Sequence, residues 1–250
     1  MKKIIIIILN IYLLKCSTFN SLEENINEDA YNGDIESVLK GISKKKTVNF
    51  QDSRGWTPLM AAIENNQLNL AEKLLSNGAY LDIKNEAGDT ALMRAVYMNH
   101  TVAINFLIEK GASIKIRDNK GYTPFLRSCD RGKLDSAKLL GKEKSDFKDR
   151  VQDPVKKTTL HLAIKKENLE LIKWLIENGS DLNAKDEEGF TPIMDAIRYN
   201  KIEAVRFFLG SGANTSDISI FGDSIQSLAR QTFNTEMIKM MDSMVLMKKK

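Results

Sequence analysis

The chain has 250 residues, 42% of them apolar, which is enough to build a hydrophobic core and argues against a disordered polypeptide. Its formal net charge is +4, but three of its 37 basic residues lie within the first 15 positions, leaving 34 basic against 33 acidic side chains. This balance excludes the large basic surface expected of a nucleic-acid-binding protein. The two cysteines, Cys16 and Cys129, give no indication of a structural disulfide.

The first 16 residues have the pattern of a secretory signal. A basic start is followed by an apolar run over 4–14, which is short for a membrane span of about 20 residues. The run leads to Cys16 and resembles a bacterial lipobox, with Lys15 where a small residue is usual. The resemblance implies a lipidated Cys16, with 17–22 as a tether. We expect a lipid-anchored exported protein, ahead of a soluble periplasmic protein and of an uncleaved membrane anchor.

A short motif recurs through the rest of the chain: a glycine, one variable residue and then a hydroxyl residue that precedes an apolar segment. The hydroxyl residues are Thr57, Thr90, Thr123, Thr158, Thr191 and Ser224. They are separated by 33, 33, 35, 33 and 33 positions. A fixed period of this length predicts a stack of similar supersecondary units.

Each repeat predicts two short helices joined by a turn. The hydroxyl residue is expected to cap the first helix, and proline follows it in three repeats. A small residue five positions after the hydroxyl would let neighbouring first helices approach closely. Nine positions after the hydroxyl stand residues that mostly tolerate a positive φ: Asn66, Asn99, Gly132, Glu167 and Asn200. The second helix is predicted to stop at a glycine, and an extended hairpin then leads to the next repeat.

Helix, turn, helix and hairpin, with Thr-Pro-Leu and Gly-Ala at these offsets, resemble the ankyrin repeat. The segments 158–163 and 178–183 are nearest to its consensus. The resemblance implies an all-α fold: an ankyrin-repeat solenoid of stacked helix-turn-helix units joined by β-hairpin loops, with about six units plus a C-terminal cap. The domain is expected over 23–247, with units near 23–54, 55–87, 88–120, 121–155, 156–188 and 189–221 and the cap over 222–247.

The fourth repeat is irregular. It carries two extra residues before Asp153, and Pro154-Val155-Lys156-Lys157 replaces the glycine turn. We interpret the insertion as one that a surface loop tolerates. A change in stacking angle and a partner-specific loop are the alternatives.

No combination of residues predicts catalysis. His161 occupies a position where the ankyrin consensus itself has histidine, His100 falls in a turn between helices, and Cys129 falls in a core column. No Cys/His metal set can therefore be assembled, and no phosphate-binding glycine loop is present. The sequence predicts neither an enzyme nor a metal or cofactor site, and no small-molecule substrate.

What remains for function is the surface. In a stack of repeats the core columns are used for packing, and variable positions on the concave side are free to bind. Tryptophan, tyrosine and arginine dominate binding hot spots, and several of them fall at hairpin tips and at the ends of first helices. The predicted partner-binding residues are Trp56, Tyr97, Tyr122, Arg131, Phe190, Arg198 and Tyr199. The alternative is that each aromatic ring packs on its own hairpin and on the next repeat.

We therefore expect a non-enzymatic scaffold for protein–protein interaction, anchored through Cys16 on the exported side of a bacterial membrane. One alternative is a periplasmic accessory protein that supports a partner enzyme, for example in oxidative-stress defence. Another is a surface-exposed protein that interacts with a host. An enzyme that uses the irregular fourth repeat is the last alternative.

Overall fold

The computed structural model describes residues 26–45, 48–142 and 146–248, with the backbone alone at 44–45 and 244–248. The predicted signal peptide, Cys16 and the tether at 17–22 lie outside the described residues. The chain divides into two compact units, Met1–Asn119 and Lys120–Lys250, and each is treated by itself below.

Regular secondary structure in the described part of the chain is helical, apart from an isolated antiparallel bridge between Arg150 and Thr158. The first unit contains helices α1 (26–32), α2 (Ile35–Lys45), α3 (Pro58–Glu64), α4 (Leu68–Ser76), α5 (Ala91–Met98) and α6 (Thr101–Glu109). The second unit contains α7 (Pro124–Asp130), α8 (Leu134–Leu140), a 3-10 turn (Asp146–Lys148), α9 (Thr159–Ile164), α10 (Leu169–Glu177), α11 (Pro192–Arg198), α12 (Ile202–Gly210), α13 (Ile225–Gln231) and α14 (Thr235–Lys248). None of the helices described has both the length and the apolar character needed to cross a membrane.

The hydroxyl residue of each repeat directly precedes a first helix, as predicted. The side-chain oxygen accepts a hydrogen bond from the backbone N–H three residues later at Thr57 (3.2 Å), Thr90 (3.4 Å), Thr123 (3.2 Å) and Ser224 (3.2 Å). Such a cap contributes about 1 kcal/mol to helix stability. The prediction is wrong at Thr191, whose buried Oγ1 has no hydrogen-bond partner in the described structure.

The turn between the two helices adopts a left-handed conformation in every repeat. Asn66, Asn99, Gly132, Glu167 and Asn200 all have φ between 53° and 68°. Phe233 occupies the same position in the C-terminal cap, with φ of 55°. The expectation of positive φ at this position is therefore confirmed, and Phe233 is a residue type that rarely adopts it.

The column of small residues forms the seam between first helices. Its six members are at most 1% exposed: Ala62, Ala95, Ser128, Ala163, Ala196 and Ala229. Helix α3 packs against α5 in the first unit, and in the second unit α7 packs against α9, α9 against α11, and α11 against α13. Close approach of these helices requires small side chains between them, so the predicted packing column is confirmed.

The loops between repeats are tight hairpins, not strands, in the regions that the structure covers. Most are closed by a backbone bond such as that from Asn85 N to Asp89 O (3.0 Å) or from Asp186 N to Phe190 O (3.0 Å). Neighbouring hairpins are joined in turn by one backbone bond each. In the first unit Glu86 N donates to Arg54 O (3.1 Å), and in the second Glu187 N donates to Val155 O (2.9 Å). We call this series of bonds the hairpin ladder.

The fourth repeat carries Phe147 eleven positions before the next cap, where other repeats have Ala79, Ala112, Ser180 and Ala213. The 3-10 turn carries Phe147, which is 4% exposed and packs edge-on against Phe125 (5.4 Å between ring centroids) and Trp174 (5.2 Å). The missing turn glycine is replaced by Lys156, which adopts a φ of 51°. The two extra residues themselves fall between Leu140 and Asp146, where 143–145 lie outside the described residues, so the interpretation of the insertion stays a prediction.

Candidate protein-binding face

The residue just before the cap reaches the first helix of the following repeat. Trp56 lies against Arg94, with 4.8 Å between the guanidinium carbon and the ring centroid. Lys157 Nζ lies 2.6 Å from Asp195 Oδ2. In both pairs the partners are 38 positions apart. The residue directly before one cap therefore faces the residue four positions after the cap of the following repeat.

Arg94 is the centre of a cluster in the first unit. Its guanidinium forms a two-pronged ion pair with Glu64 (2.9 and 2.8 Å) and a further bond to Asp89 (3.2 Å). It also lies over the ring of Tyr97 at 4.7 Å, while Arg54 covers Trp56 at 5.0 Å. Burial alone would lower the pKa of Arg94, but its bonds to Glu64 and Asp89 outweigh burial and raise the pKa.

A concave space of about 690 Å³ opens beside this cluster. Trp56, Arg54, Glu64 and Arg94 line one part of it, and residues of α1 line another. The walls therefore combine aromatic surface with fixed charges of both signs, the composition of a protein-binding surface.

The second unit repeats the pairing of arginine with an aromatic ring. Arg127 lies over Tyr122 at 4.1 Å and is held by Asp130 at 3.7 Å. Two repeats later Arg198 lies over Phe190 at 4.2 Å and near Tyr199 at 6.0 Å. Each arginine is thus positioned by a ring beneath it and by a carboxylate on its own helix.

The carboxylate that holds Arg198 is fully buried. Asp195 accepts from Arg198 (3.2 Å) and from Lys157 (2.6 Å), and Lys157 also approaches the Tyr199 hydroxyl at 3.4 Å. Burial acts to lower the pKa of Lys157, but the charge of Asp195 outweighs it and raises the pKa. Lys157 therefore remains charged at neutral pH, and its bond to Asp195 connects two repeats.

His161, Asp186 and Asp195 offer ligand atoms within 4.8 Å of one another and form a candidate cation site. Both nitrogens of His161 are already engaged, Nδ1 by the Thr158 hydroxyl (2.7 Å) and Nε2 by the Phe190 carbonyl (2.9 Å). Asp195 is paired with two cations, so a metal would have to displace Lys157. Burial lowers the pKa of His161, which favours the neutral ring in this hydrogen-bond network.

Cys129 is fully buried, as predicted, and burial raises the pKa of its thiol. The thiol form is therefore favoured, which makes the side chain a poor nucleophile. His100 directly precedes α6, and its Nε2 lies 3.1 Å from the Glu64 carbonyl oxygen. Both residues have structural positions in their repeats.

The structure places the predicted binding residues in two different environments. Tyr97 and Arg198 are exposed, whereas Trp56, Tyr122, Arg131 and Tyr199 are half-buried. Phe190 is only 3% exposed, because Arg198 covers one side and Phe221 lies 6.2 Å away between ring centroids. The Phe190 ring packs beneath the Arg198 guanidinium and is not available to a partner from solvent.

Sequence reasoning missed the position four residues after the cap. It holds Arg94, Arg127 and Asp195, whereas other repeats have Ala61, Leu162 and Leu228 there. A charged residue within an otherwise apolar first helix was the available signal. Below, "aromatic–arginine face" denotes a surface of each unit taken by itself: Trp56, Glu64, Arg94 and Tyr97 in the first unit, and Tyr122, Arg127, Arg198 and Tyr199 in the second.

Comparison with known proteins identifies the repeat. The family model "Ankyrin repeats (3 copies)" matches residues 27–118, 67–150 and 125–219. Among solved structures, the human ASB11 ankyrin repeat domain has a TM-score of 0.69 at 23% identity, covering 82% of this chain and 90% of that one. The ankyrin repeat domain of Bcl-3 has a TM-score of 0.71 at 18% identity, covering 86% and 96%.

Sequence relatives match shorter segments. Putative ankyrin repeat protein FPV219 of fowlpox virus is 43% identical over 60 residues, which is 24% of this chain and 14% of that protein. Fowlpox FPV223 is 40% identical over 53 residues, or 21% and 38%. Mouse protein phosphatase 1 regulatory subunit 12A is 33% identical over 72 residues, or 29% and 7%. The matched segments thus span well under half the length of each relative.

Proposed function

Because the chain belongs to the ankyrin-repeat family, whose repeats are in general non-enzymatic scaffolds for protein interaction, we propose that it binds another protein through the aromatic–arginine face. The observation that supports this proposal is the Arg94 cluster. The repeat fold needs neither a tryptophan before the cap nor an arginine four residues after it, since other repeats have Asp89 and Ala61 at those positions.

The ion pairs of the cluster prepare it for binding. Glu64 and Asp89 hold the Arg94 guanidinium in one orientation, so little side-chain entropy is lost when a partner covers it. The rings of Trp56 and Tyr97 offer apolar area beside it. Tryptophan, tyrosine and arginine together are the residue types most often found at the centre of interfaces.

The test is photo-crosslinking in the native cell, with a photoreactive amino acid at position 97, followed by affinity measurements on the captured protein. We expect Trp56→Ala and Tyr122→Ala each to weaken binding at least about tenfold, as hot-spot truncations do. Tyr80→Ala is the matched control, because Tyr80 is 69% exposed and lies after α4, outside the face. Unchanged capture by both face variants would contradict the proposal.

We also propose that the protein is exported and held on a bacterial membrane by a lipid on Cys16. The support is the leader sequence, with its basic start, short apolar run and terminal cysteine. Metabolic labelling with palmitate tests it. Label is expected in the wild type and in Cys129→Ala but not in Cys16→Ala. Persistence of the label in Cys16→Ala, or its absence from the wild type, would overturn the assignment.

A further inference from the structure

The last hairpin of the second unit has an apolar tip. Ile218, Ile220 and Phe221 are 57%, 70% and 65% exposed. The corresponding positions of the five preceding hairpins are mostly polar or charged, for example Lys185, Glu187 and Glu188 in the hairpin just before it. Three large apolar side chains side by side in water oppose solubility and mark an interaction surface.

The fold of the hairpin does not require these side chains. The Ser219 hydroxyl accepts from Phe221 N (3.2 Å) and Asp223 N (3.1 Å). The Asp186 carboxylate accepts from the equivalent N–H groups in the preceding hairpin (3.0 and 2.9 Å). The turn is therefore built in the same way whether its tip is polar or apolar.

The same hairpin ends the hairpin ladder of the second unit. Ile220 N donates to Glu188 O (3.0 Å), as Glu187 N donates to Val155 O. The next acceptor in this series is the carbonyl of Phe221, and no hairpin follows it in the described chain. An open backbone acceptor beside apolar side chains is a template for an extended segment of another protein.

The charges near the hairpin determine which segment fits. Phe221 lies 6.2 Å from Phe190 between ring centroids, and the exposed Arg198 lies over the same Phe190 ring at 4.2 Å, whereas Asp195, which Arg198 contacts, is fully buried. At the positions one before and four, seven and eight after each cap, the second unit has six cations and three carboxylates. The cations are Arg127, Arg131, Lys157, Lys165, Lys166 and Arg198, and the carboxylates are Asp130, Asp195 and Asp223. Cations therefore exceed carboxylates at these positions, and the carboxylates of the adjacent hairpin tip are Glu187, paired with Lys156, and Glu188.

We propose that the terminal hairpin, Ile218–Phe221, docks an extended partner segment that carries an apolar side chain and, two residues away, an aspartate or glutamate. Residues two apart on a strand point the same way and are about 6.6–6.8 Å apart. The apolar side chain covers Ile220 and Phe221, the carboxylate meets Arg198, and a backbone N–H of the segment donates to the Phe221 carbonyl. This inference rests on the proposed protein-binding function and specifies the chemistry of the partner.

Two other occupants fit less well. A stable dimer buries roughly 800 Å² on each copy, and three side chains at a hairpin tip are too few to supply that area alone. A membrane-inserting loop combines apolar with basic residues. Residues 214–224 contain no lysine or arginine, and their two carboxylates are Asp217, paired with Lys185 at 2.6 Å, and Asp223, bonded to Gln231 at 3.2 Å.

The test is selection of a phage-displayed library of random 16-residue peptides on the full chain, with the Ile220→Ser/Phe221→Ser double variant as the counter-target. Selected peptides should contain more aspartate and glutamate than lysine and arginine, with an apolar residue two positions from an acidic one. Synthetic versions should lose at least tenfold in affinity for the double variant. Arg198→Glu should reduce the preference for acidic over basic peptides, and Tyr80→Ser should leave affinity unchanged.

Several results would overturn the inference. Two concern the peptides: no selected peptide binds the wild type more tightly than the double variant, or the selected peptides are enriched in basic residues. Two concern other occupants: the wild type forms a dimer that the double variant does not form, or the chain floats with phosphatidylcholine vesicles only when the hairpin is intact. If peptides bind independently of the hairpin but are lost in Trp56→Ala or Tyr122→Ala, the inference fails and the proposed function stands. If the crosslinking at position 97 also captures no partner, the proposed function fails as well.

Discussion

Lys157 and Asp195 form an ion pair of 2.6 Å in which the Asp195 side chain is completely buried and the Lys157 side chain is 22% exposed. Asp195 also holds Arg198, so one buried charge is shared between two cations from different repeats. Taking a carboxylate out of water is costly, and only well-placed partners compensate for it. Removal of the Asp195 carboxylate is therefore expected to lower the stability of the fold, because both cations lose their buried partner.

Asp195→Asn should lower the free energy of unfolding by about 3 kcal/mol, the lower end of the range for breaking a buried pair, because both cations can still reach solvent. Chemical denaturation monitored by circular dichroism measures the loss. Glu177→Gln is the control, since Glu177 pairs with Lys173 at 3.9 Å on an exposed helix surface and should change stability by less than about 0.5 kcal/mol. Equal effects of the two substitutions would contradict the assignment.

Stability should fall in acid partly through His161. Burial lowers its pKa from the usual 6.5, so the unfolded chain binds the proton more readily than the folded one. Stability from the neutral ring is present above pH 6.5 and is lost as pH falls from there toward the folded pKa. Between pH 7.5 and 5.5 the residue should account for up to about 1.4 kcal/mol. Denaturant titrations of the wild type and His161→Gln check this, and parallel pH profiles would disprove it.

Phe233→Asn should stabilise the protein by about 1 kcal/mol. Phe233 has a φ of 55° and is 88% exposed, so its ring gains little from burial while its backbone occupies a region unfavourable for residues other than glycine or asparagine. The reverse exchange at the same position of another repeat, Asn66→Phe, should destabilise by a similar amount. Thermal unfolding of both variants measures the pair, and a loss of stability in Phe233→Asn would refute the argument.

Phe147→Ala tests the packing role of the 3-10 turn in the fourth repeat. Truncation of a buried phenylalanine costs about 3–5 kcal/mol, and Phe147 sits between Phe125 and Trp174. Lys148→Ala, on the exposed side of the same 3-10 turn, should leave stability within about 0.5 kcal/mol. If Phe147→Ala were equally mild, the aromatic cluster around the 3-10 turn would have no large packing role.

The sequence allowed prediction of what is local to one repeat. The period, the two helices, the caps at Thr57, Thr90 and Thr123, and the left-handed turns all follow from residue types at fixed offsets. Contacts between repeats were less predictable. Phe190 was expected on the surface, but Arg198 and Phe221 cover it. The period gives a residue's place in its own repeat, whereas its burial depends on side chains supplied by neighbours.

Phe147 shows the same limit. It lies eleven positions before the cap, where other repeats have a small residue, and it was not predicted to belong to the core. The structure places it in an aromatic cluster, with Trp174 coming from the next repeat. No pattern within residues 141–153 specifies that partner, because the contact depends on how the helices of two repeats pack.

The contact between the residue before one cap and the residue four positions after the next also makes the repeats non-interchangeable. Trp56 requires a flat cation at position 94, and Lys157 requires a carboxylate at position 195. Exchanging repeats of identical length would preserve every turn and cap but place Lys157 opposite a residue of the same sign or of no charge. These two contacts therefore restrict which repeat can follow the one that carries Trp56 or Lys157.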